Sequence, residues 1–362
     1  MNIIQVKNLS KTFNQNGDNP QTVLSDVNFS VKKGECLSII GPNGSGKTTL
    51  LSIMGLLLPP TEGKVLYKGK NITDLSKRKK VNARRNFSFV RQKPVVLDTS
   101  VYNNIAYGLR VRNVDRSQIY RRVNEIIDYV GLEGYEKKNA RDLSGGEMQR
   151  VAIAMNFVLD PEVYLLDEVS ANLDPKNVSL LEKFINRIKR KNKTIIISTH
   201  DRMEAIKFSD RVAVLKNGEI SQIGNINDVF TSPKDEYAAV FVGYENVFSG
   251  FAKYNEVLEL TQIKVDGTKI NASARREGKV KVCIKPESIG LSKKAPAKKS
   301  YQNSILGKVT QIRDLGNTCH LKARCNSTEF LISITKVSLK DLKLEVGSEV
   351  YLNFKATDIE LL

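Results

Sequence analysis

The segment Gly41–Thr48 reads GPNGSGKT and fits the pattern G-x-x-x-x-G-K-[ST]. Glycines in such a segment let backbone N–H groups wrap around a phosphate, the lysine neutralises phosphate oxygens, and the last hydroxyl ligates Mg²⁺. An apolar run, Cys36–Ile40, precedes the segment, and a helix is expected over Thr49–Met54. The pattern predicts a phosphate-binding loop between a strand and a helix, with the candidate residues Gly41, Pro42, Asn43, Gly44, Ser45, Gly46, Lys47, Thr48 and Thr49.

A second motif supplies two acids. Val163–Glu168 reads VYLLDE, an apolar strand that ends in two carboxylates. Asp167 can hold Mg²⁺ through water, and Glu168 can polarise an attacking water as a general base. Such a strand end is common by itself. Together with a phosphate loop, it predicts that both carboxylates act on a bound phosphate.

A third motif offers a further anion site. Leu143–Glu147 reads LSGGE and precedes a stretch compatible with a helix, Val151–Leu159. Backbone N–H groups at a helix start attract anions, so Ser144, Gly145 and Gly146 are candidate ligands of a phosphate. A plain helix cap would explain this motif if it occurred alone. Its occurrence with the other two motifs favours the functional interpretation.

In this order, the three motifs resemble those of ABC-type ATPases, the nucleotide-binding subunits of ATP-driven transporters, over about residues 1–240. The resemblance implies four further roles. Phe13 would stack on adenine. Gln92 would sense Mg²⁺ and the attacking water, and would couple the site to a membrane subunit. The loop that ends in Asp174 would cross a dimer interface, and His200 would contact the γ-phosphate.

The resemblance also implies a mechanism. ATP and Mg²⁺ would bind the phosphate loop of one subunit, and Ser144 and Gly146 of a second subunit would close over the γ-phosphate. The sequence has one phosphate loop and one LSGGE motif, here called the signature, so two copies must associate head to tail as a homodimer. Two departures are visible: Glu147 stands where a glutamine is frequent, and Val169 where a proline is frequent. Neither removes a phosphate contact.

Strands and helices must position these groups. Short apolar runs alternating with amphipathic segments predict an α/β domain with a mostly parallel sheet. Alternating polar and apolar residues near the start predict an antiparallel sheet. The expected parallel strands are Cys36–Ile40, Phe87–Val90, Val163–Leu166, Thr194–Ser198 and Arg211–Lys216, the expected helices include Arg116–Val130 and Val178–Arg190, and the expected antiparallel strands are Ile3–Leu9 and Val23–Val31.

The pattern changes after about Tyr244. Short β-like runs separated by turns predict a small β-barrel or sandwich, at Val257–Val265, Lys279–Ile284, Gly307–Arg313, Glu329–Ile334 and Glu349–Phe354. We therefore expect an ATPase domain over residues 1–240 and an all-β regulatory domain, of the OB or TOBE type, over 241–362. Lys293–Ser300 (KKAPAKKS) is expected to be a solvated linker or loop.

The appended β-domain favours an importer. The segments Ile334–Ser338 and Asn353–Thr357 resemble the molybdate/tungstate-binding β-domain, which implies that Thr335, Ser338 and the Lys355 of a KAT strand bind a tetrahedral oxyanion. The alternative is that these residues are only structural. Other importers, for sulfate, ferric ion, polyamine or sugar, also remain open, as does an oxyanion-regulated module outside transport.

The amino-acid composition narrows the remaining classes of function. There are 57 basic and 39 acidic residues, a net charge of +18, and 41 % hydrophobic residues, which excludes global disorder. A nucleic-acid-binding barrel would need aromatic platforms, and the C-terminal region has few, so no nucleic-acid partner is expected. The four cysteines form no CxxC pair and are expected to be reduced thiols.

Neither a signal peptide nor a bilayer-spanning segment is evident. The resemblance therefore implies a peripheral protein at the cytoplasmic face of the cell membrane. Its expected partners are an integral membrane permease and an extracytoplasmic solute-binding protein. The segment Lys93–Arg110, just after Gln92, is where the family docks a helix of the membrane subunit.

Overall fold

The computed structural model describes residues 1–14, 20–170, 174–295 and 301–362. The chain divides into two compact units, Met1–Ile226 and Asn227–Leu362. The boundary expected at residue 240 is later than this one and falls within the second of two short helices that group with the second unit. Two predictions fall partly outside the described residues. They concern positions 171–173 of the loop that ends in Asp174 and positions 296–300 of the linker.

The main sheet of the first unit has six strands in the order β10-β9-β3-β8-β7-β6. All pairings are parallel except the edge pair of β9 with β10. Every residue of β3, β7 and β8 is buried, as expected for parallel strands covered on both faces. The strands are β3 (Cys36–Ile40), β6 (Phe87–Val90), β7 (Val163–Asp167), β8 (Thr194–Thr199), β9 (Arg211–Lys216) and β10 (Glu219–Asn225).

A second, antiparallel sheet has the order β2-β1-β4-β5. Its strands are β1 (Asn2–Phe13), β2 (Gln21–Lys32), β4 (Glu62–Tyr67) and β5 (Lys70–Asn71). Buried residues alternate with more exposed ones along β2, because one face of the sheet packs on a core shared with Leu37 and Ile39 of β3. The two predicted antiparallel strands are thus present and longer than expected.

Seven helices complete the described part of the first unit. They are α1 (Lys47–Met54), α2 (Lys77–Arg84), α3 (Val101–Val111), α4 (Arg116–Val130), α5 (Gly145–Phe157), α6 (Pro175–Arg190) and α7 (Arg202–Phe208). Side-chain caps begin several of them: Asp115 for α4, Ser144 for α5 and Asp174 for α6. Each cap satisfies a backbone N–H that a helix start leaves without an intrahelical partner.

The second unit begins with two helices, α8 (Ile226–Thr231) and α9 (Glu236–Phe241), and continues as two antiparallel sheets that share one core. One sheet has the order β13-β12-β11-β14-β20 and the other β15-β19-β16-β17-β18. The strands are β11 (Asn246–Asn255), β12 (Leu260–Val265), β13 (Thr268–Ala272), β14 (Gly278–Ile284), β15 (Gly290–Ser292), β16 (Asn303–Asp314), β17 (Thr318–Cys325), β18 (Thr328–Thr335), β19 (Glu349–Phe354) and β20 (Ile359–Leu361), with a helix, α10 (Lys336–Asp341).

The predicted fold class is confirmed, with two local corrections. The expected strand Val257–Val265 begins only at Leu260, because a turn occupies the preceding residues. Lys355 is not in a strand: β19 ends at Phe354, and a short 3₁₀ helix, Ala356–Asp358, follows. No helix in the described parts of the chain is both long and apolar enough to cross a bilayer.

Candidate functional site

The loop Gly41–Gly46 connects the end of β3 to the start of α1, as predicted. Gly46 has φ +103°, and a Cβ there would lie 2.7 Å from Cδ2 of Leu24 and 2.9 Å from the carbonyl oxygen of Val23. A side chain at Gly41 would lie 2.2 Å from the carbonyl oxygen of Leu215. Both positions therefore require glycine for steric reasons, and the N-terminal N–H groups of α1 face the loop.

Lys47 places a buried cation in this loop. Its side chain is 5 % exposed, and Nζ donates hydrogen bonds to the carbonyl oxygens of Gly41 (2.9 Å) and Pro42 (3.1 Å). Nζ also lies 3.4 Å from Oε1 of Glu168. Nearby, the Ser45 hydroxyl is buried without a hydrogen-bond partner. A buried ammonium and an unpaired hydroxyl in one loop fit a phosphate group, which accepts hydrogen bonds from both.

A cavity of about 300 Å³ opens beside the loop. Its lining includes Glu168, Val23 of β2, and the loop and helix residues Asn43, Gly44, Gly46, Lys47, Thr48 and Thr49. A Cβ built on Gly44 would meet no atom within 4 Å, so this part of the backbone is open to a ligand. The structure thus brings the phosphate-loop residues and the second acid of VYLLDE to one cavity.

Oxygen ligands for a metal lie at its edge. The Thr48 hydroxyl donates to Oδ1 of Asp167 at 3.1 Å, and the Ser198 hydroxyl donates to the same oxygen at 2.6 Å. The described residues hold no cluster of three or more His, Cys, Asp or Glu side chains that could bind a metal. A hydroxyl and a carboxylate fit Mg²⁺, which takes one or two protein oxygens and completes its shell with phosphates and water.

Glu168 lies between two potentially charged groups. Its carboxylate is 3.4 Å from Nζ of Lys47 and, through Oε2, 3.5 Å from Nδ1 of His200. Its backbone has φ +47°, a left-handed conformation that costs energy for a residue with a Cβ. The Glu168 N–H donates to the Ser198 carbonyl oxygen at 3.0 Å, which fixes this conformation.

Strand pairing explains how Glu168 and His200 meet. Asp167, at the end of β7, pairs with Ser198 of β8, so the residues that follow each strand emerge side by side. Ser198 was not singled out from the sequence, although it stands in the same ISTH segment as His200. Its hydroxyl and carbonyl hold the two predicted acids, and its place at a strand end beside them is the signal that could have identified it.

Two predicted nucleotide contacts, Gln92 and Phe13, are not among the described residues that line this cavity. Gln92 follows β6, whose Val90 pairs with Leu166 of β7, and its side chain is exposed. Phe13, at the end of β1, is 37 % exposed, and the Lys11 ammonium lies 4.9 Å from its ring centroid. An exposed ring at a strand end is available for stacking, and the strand register places Gln92 at the same edge of the sheet as the acids.

The signature residues occupy a second cavity, of about 500 Å³, whose described lining shares no residue with the first. Ser144 caps α5, and its hydroxyl donates to Oε2 of Glu147 at 2.6 Å. The Ser144 N–H donates to the same carboxylate at 2.9 Å, so Ser144 and Glu147 form a capping box. These hydrogen bonds from Ser144 lower the pKa of Glu147.

Asp174 lies beside the signature in the same chain. Its Oδ1 accepts from the N–H of Asn177 at 2.9 Å, and its Oδ2 accepts from the Asn177 amide at 2.8 Å. A Cβ at Gly146 would lie 2.9 Å from Nδ2 of Asn177, whereas one at Gly145 would meet nothing within 4 Å. A side chain at Gly146 would therefore displace the Asn177 amide, and Gly145 leaves the helix start open to an approaching anion.

The oxyanion candidates of the second unit do not come together. Thr335 caps α10, and its hydroxyl lies 2.8 Å from that of Ser338; Thr335 is exposed and Ser338 is half-buried. Lys355 follows β19 at the opposite end of the sheet, because Phe354 pairs with Asn303, where β16 begins, whereas Thr335 lies level with the end of β16. β16 has 12 residues, roughly 35 Å of extended chain. One ion in one chain could not contact all three side chains.

Comparisons with known proteins agree with this geometry. The family model of the ABC transporter matches residues 24–171, and that of the TOBE domain matches residues 299–361. The molybdate/tungstate import ATP-binding protein WtpC of Pyrococcus abyssi is 37 % identical, over 99 % of this chain and 100 % of its own length. The spermidine/putrescine import ATP-binding protein PotA of Clostridium novyi is 32 % identical, over 100 % of this chain and 98 % of its own length.

Solved structures show the same cassette. The ATP-binding cassette MJ0796, a dimer in a post-hydrolysis state bound to ADP and Pi, is 30 % identical with a TM-score of 0.58, over 62 % of this chain and 98 % of its own. The cbiO1 protein of Clostridium perfringens, part of the ABC transporter complex cbiONQ, is 33 % identical with a TM-score of 0.56, over 63 % of this chain and 90 % of its own.

Fold and site together define a P-loop ATPase of the cassette type, with ATP as its nucleotide. The chain belongs to the ATP-binding import proteins of the ABC transporter family. The resemblance inferred from the three sequence motifs is thereby confirmed.

Proposed function

We propose that this protein powers the uptake of molybdate or tungstate as the ATP-hydrolysing subunit of an ABC importer. The observation that carries the hydrolytic role is the position of the Glu168 carboxylate, 3.4 Å from Lys47 and 3.5 Å from His200, at the cavity beside the phosphate loop. The solute is inferred from the relatives named for molybdate/tungstate import, which match the chain from end to end at 36–37 % identity.

The residues of the cavity divide the chemistry among them. The Lys47 ammonium and the loop N–H groups bind and neutralise the β- and γ-phosphates. Glu168 accepts a proton from the attacking water, and the His200 imidazole hydrogen-bonds the γ-phosphate. Thr48, Asp167 and Gln92 would hold Mg²⁺. When bound, that ion would supply positive charge that stabilises the negative charge developing on the phosphate oxygens.

A second copy of the chain completes each site. Ser144 and Gly146 line a separate cavity from the phosphate loop, so one chain does not supply both halves to the same γ-phosphate. A head-to-tail homodimer places the α5 start of one copy over the loop of the other, with Asp174 at the interface. The related cassette MJ0796 is dimeric when bound to ADP and Pi, which supports this arrangement.

The surface after Gln92 suits a membrane partner. Within the predicted docking segment Lys93–Arg110, Val95 is 63 % exposed and Tyr107 is 53 % exposed. Apolar side chains left in solvent at one site are typical of a protein interface. We propose that a cytoplasmic helix of the permease binds here, that the chain is peripheral to the membrane, and that a solute-binding protein delivers the oxyanion from the other side.

The test is ATP hydrolysis by the full chain reconstituted in liposomes with its membrane and solute-binding subunits. Molybdate or tungstate is expected to stimulate hydrolysis, and spermidine is not. The alternative solute is a polyamine, because the spermidine/putrescine relatives also match over the whole chain at 31–33 % identity. Stimulation by spermidine alone would overturn the oxyanion assignment in favour of that alternative.

A further inference from the structure

Glu204 is a buried carboxylate that the proposed chemistry does not use. It lies on α7, four residues after His200, and is 7 % exposed. Its partners are hydroxyl groups rather than cations. Oε2 accepts hydrogen bonds from the hydroxyls of Thr199 and, at 2.9 Å, Ser170, whereas Oε1 is buried without a hydrogen-bond partner.

The two hydroxyl groups belong to the segments that carry the reacting side chains. Ser170 follows Glu168 by two residues, and Thr199 directly precedes His200. The Thr199 hydroxyl also accepts from the N–H of Asp201 at 3.0 Å, so it closes the turn that contains the imidazole. The Glu204 carboxylate thus links the segment just after the general base, Glu168, to the turn that contains His200.

Burial of the Glu204 carboxylate is, by itself, unfavourable for the stability of the fold. Burial raises the pKa of Glu204, although the hydrogen bonds from Thr199 and Ser170 partly oppose that rise. A carboxylate with one oxygen unpaired in the interior destabilises a fold, and an apolar side chain of similar volume would avoid that loss. Its presence is therefore better explained by what it holds together than by its contribution to stability.

We propose that Glu204 is a positioning residue that keeps Glu168 and His200 in register by joining Ser170 to Thr199. The inference rests on the proposed roles of Glu168 and His200. A carboxylate and an imidazole 3.5 Å apart are sensitive to small displacements of either backbone segment. A misplacement of about 1 Å can cost roughly 100-fold in rate, so a tether outside the cavity can limit turnover without touching ATP.

The experiment compares Glu204→Ala, Glu204→Gln and Ser170→Ala in the full chain. Glu204→Ala should lower kcat for ATP at least roughly 10-fold and leave KM within about 2-fold. Glu204→Gln should restore kcat to within about 3-fold of the unmodified protein, because an amide oxygen accepts both hydroxyl bonds. Adding Ser170→Ala to Glu204→Ala should cause no further loss, because both remove the same link.

A matched control is Glu35→Gln. Glu35 is also 7 % exposed, but it pairs with Arg211 and directly precedes β3, at the strand end opposite the phosphate loop. This variant should lose stability without losing kcat. The imidazole itself supplies a second measurement, because the chain has only two histidines. The His200 C2 proton resonance, assigned with His200→Gln, should shift in Glu204→Ala and not in Glu35→Gln.

Three results would overturn the proposal: a native kcat in folded Glu204→Ala, an equal loss of kcat in Glu35→Gln, or a change confined to KM. If Glu204→Ala does not fold, Ser170→Ala alone carries the test, and a native kcat in that variant would contradict the tether. Failure of the proposed function is distinguishable, since it would appear as normal turnover in Glu168→Gln whatever the Glu204 variants do.

Discussion

Nδ1 of His200 lies 3.5 Å from Oε2 of Glu168, at the point where two neighbouring parallel strands end. The other oxygen of the same carboxylate faces the Lys47 ammonium at 3.4 Å. One carboxylate therefore lies within reach of both the cation that binds phosphate and the imidazole assigned to the γ-phosphate. This relationship makes the catalytic proposal directly testable.

Replacing Glu168 with glutamine should stop hydrolysis while ATP binding survives. The amide keeps the size of the side chain but cannot take a proton from water, so turnover should fall at least about 100-fold. Phosphate release measures turnover, and equilibrium dialysis with labelled ATP measures binding. Glu162→Gln, which changes a half-buried carboxylate 2.7 Å from Nζ of Lys68, is the control and should hydrolyse ATP normally. Unchanged turnover in Glu168→Gln would remove this residue from the mechanism.

The phosphate loop should not tolerate a methyl group at Gly46. A Cβ there meets a backbone oxygen at 2.9 Å, in addition to the strain of φ +103°. Gly69 provides a matched control, because it has φ +78° in a turn where a Cβ would meet nothing within 4 Å. Gly69→Ala should lower the melting temperature slightly, by strain alone, and Gly46→Ala should lower it more and also abolish ATP binding. Equal effects on melting would contradict the steric argument.

The capping box at the signature should weaken in acid. The pKa of Glu147 is held below its ordinary value of 4.5 by hydrogen bonds from Ser144, so the stabilisation is complete above that pH and is lost as the pH falls through the lowered pKa. Glu147→Ala should therefore melt earlier than the unmodified protein at pH 7, and the difference should vanish in strong acid. Melting followed by circular dichroism at several pH values measures it. A gap that stays constant with pH would exclude the charged carboxylate as the cap.

The cysteines should resist thiol reagents in the folded protein. All four are free and buried, and burial raises the pKa of Cys36, Cys283 and Cys325 to about 12. At pH 8 only about one such thiol in 10⁴ is ionised, and the thiolate is the reactive form. A disulfide reagent that reports on thiols should therefore label almost none until guanidinium unfolds the chain, and then all four. Rapid labelling under native conditions would show that a thiol is accessible.

The sequence predicted the parallel sheet well because its strands are buried on both faces. Runs such as Cys36–Ile40 and Phe87–Val90 are apolar except for one serine each, and the structure has strands with those bounds. Edge and hairpin strands of the second unit were harder to see. β13 (Thr268–Ala272) and β17 (Thr318–Cys325) alternate more and less buried residues and carry polar side chains, a lysine and an asparagine in β13 and a lysine and an arginine in β17, so their apolar signal is weak.

The site shows the same division between local and distant information. The phosphate loop and the strand-end acids are local motifs, and the structure brings Lys47 and Glu168 together as the motifs predicted. The role of Ser198 could be inferred only from the pairing of β7 with β8, and that of Glu204 depends on contacts with Thr199 and Ser170 that no spacing in the sequence reveals. For the oxyanion candidates, resemblance placed Thr335 and Lys355 in one site, whereas antiparallel register carries them to opposite ends of a sheet.

At Glu168, the left-handed backbone makes stability and catalysis favour different residues. A glycine would adopt φ +47° without the roughly 1–2 kcal/mol that a side chain costs there, but it would remove the carboxylate. A redesign guided only by thermostability would therefore replace this residue with glycine. The product would be more stable and would bind ATP, but it would not hydrolyse it. At this position the chain retains a small instability as a condition of turnover.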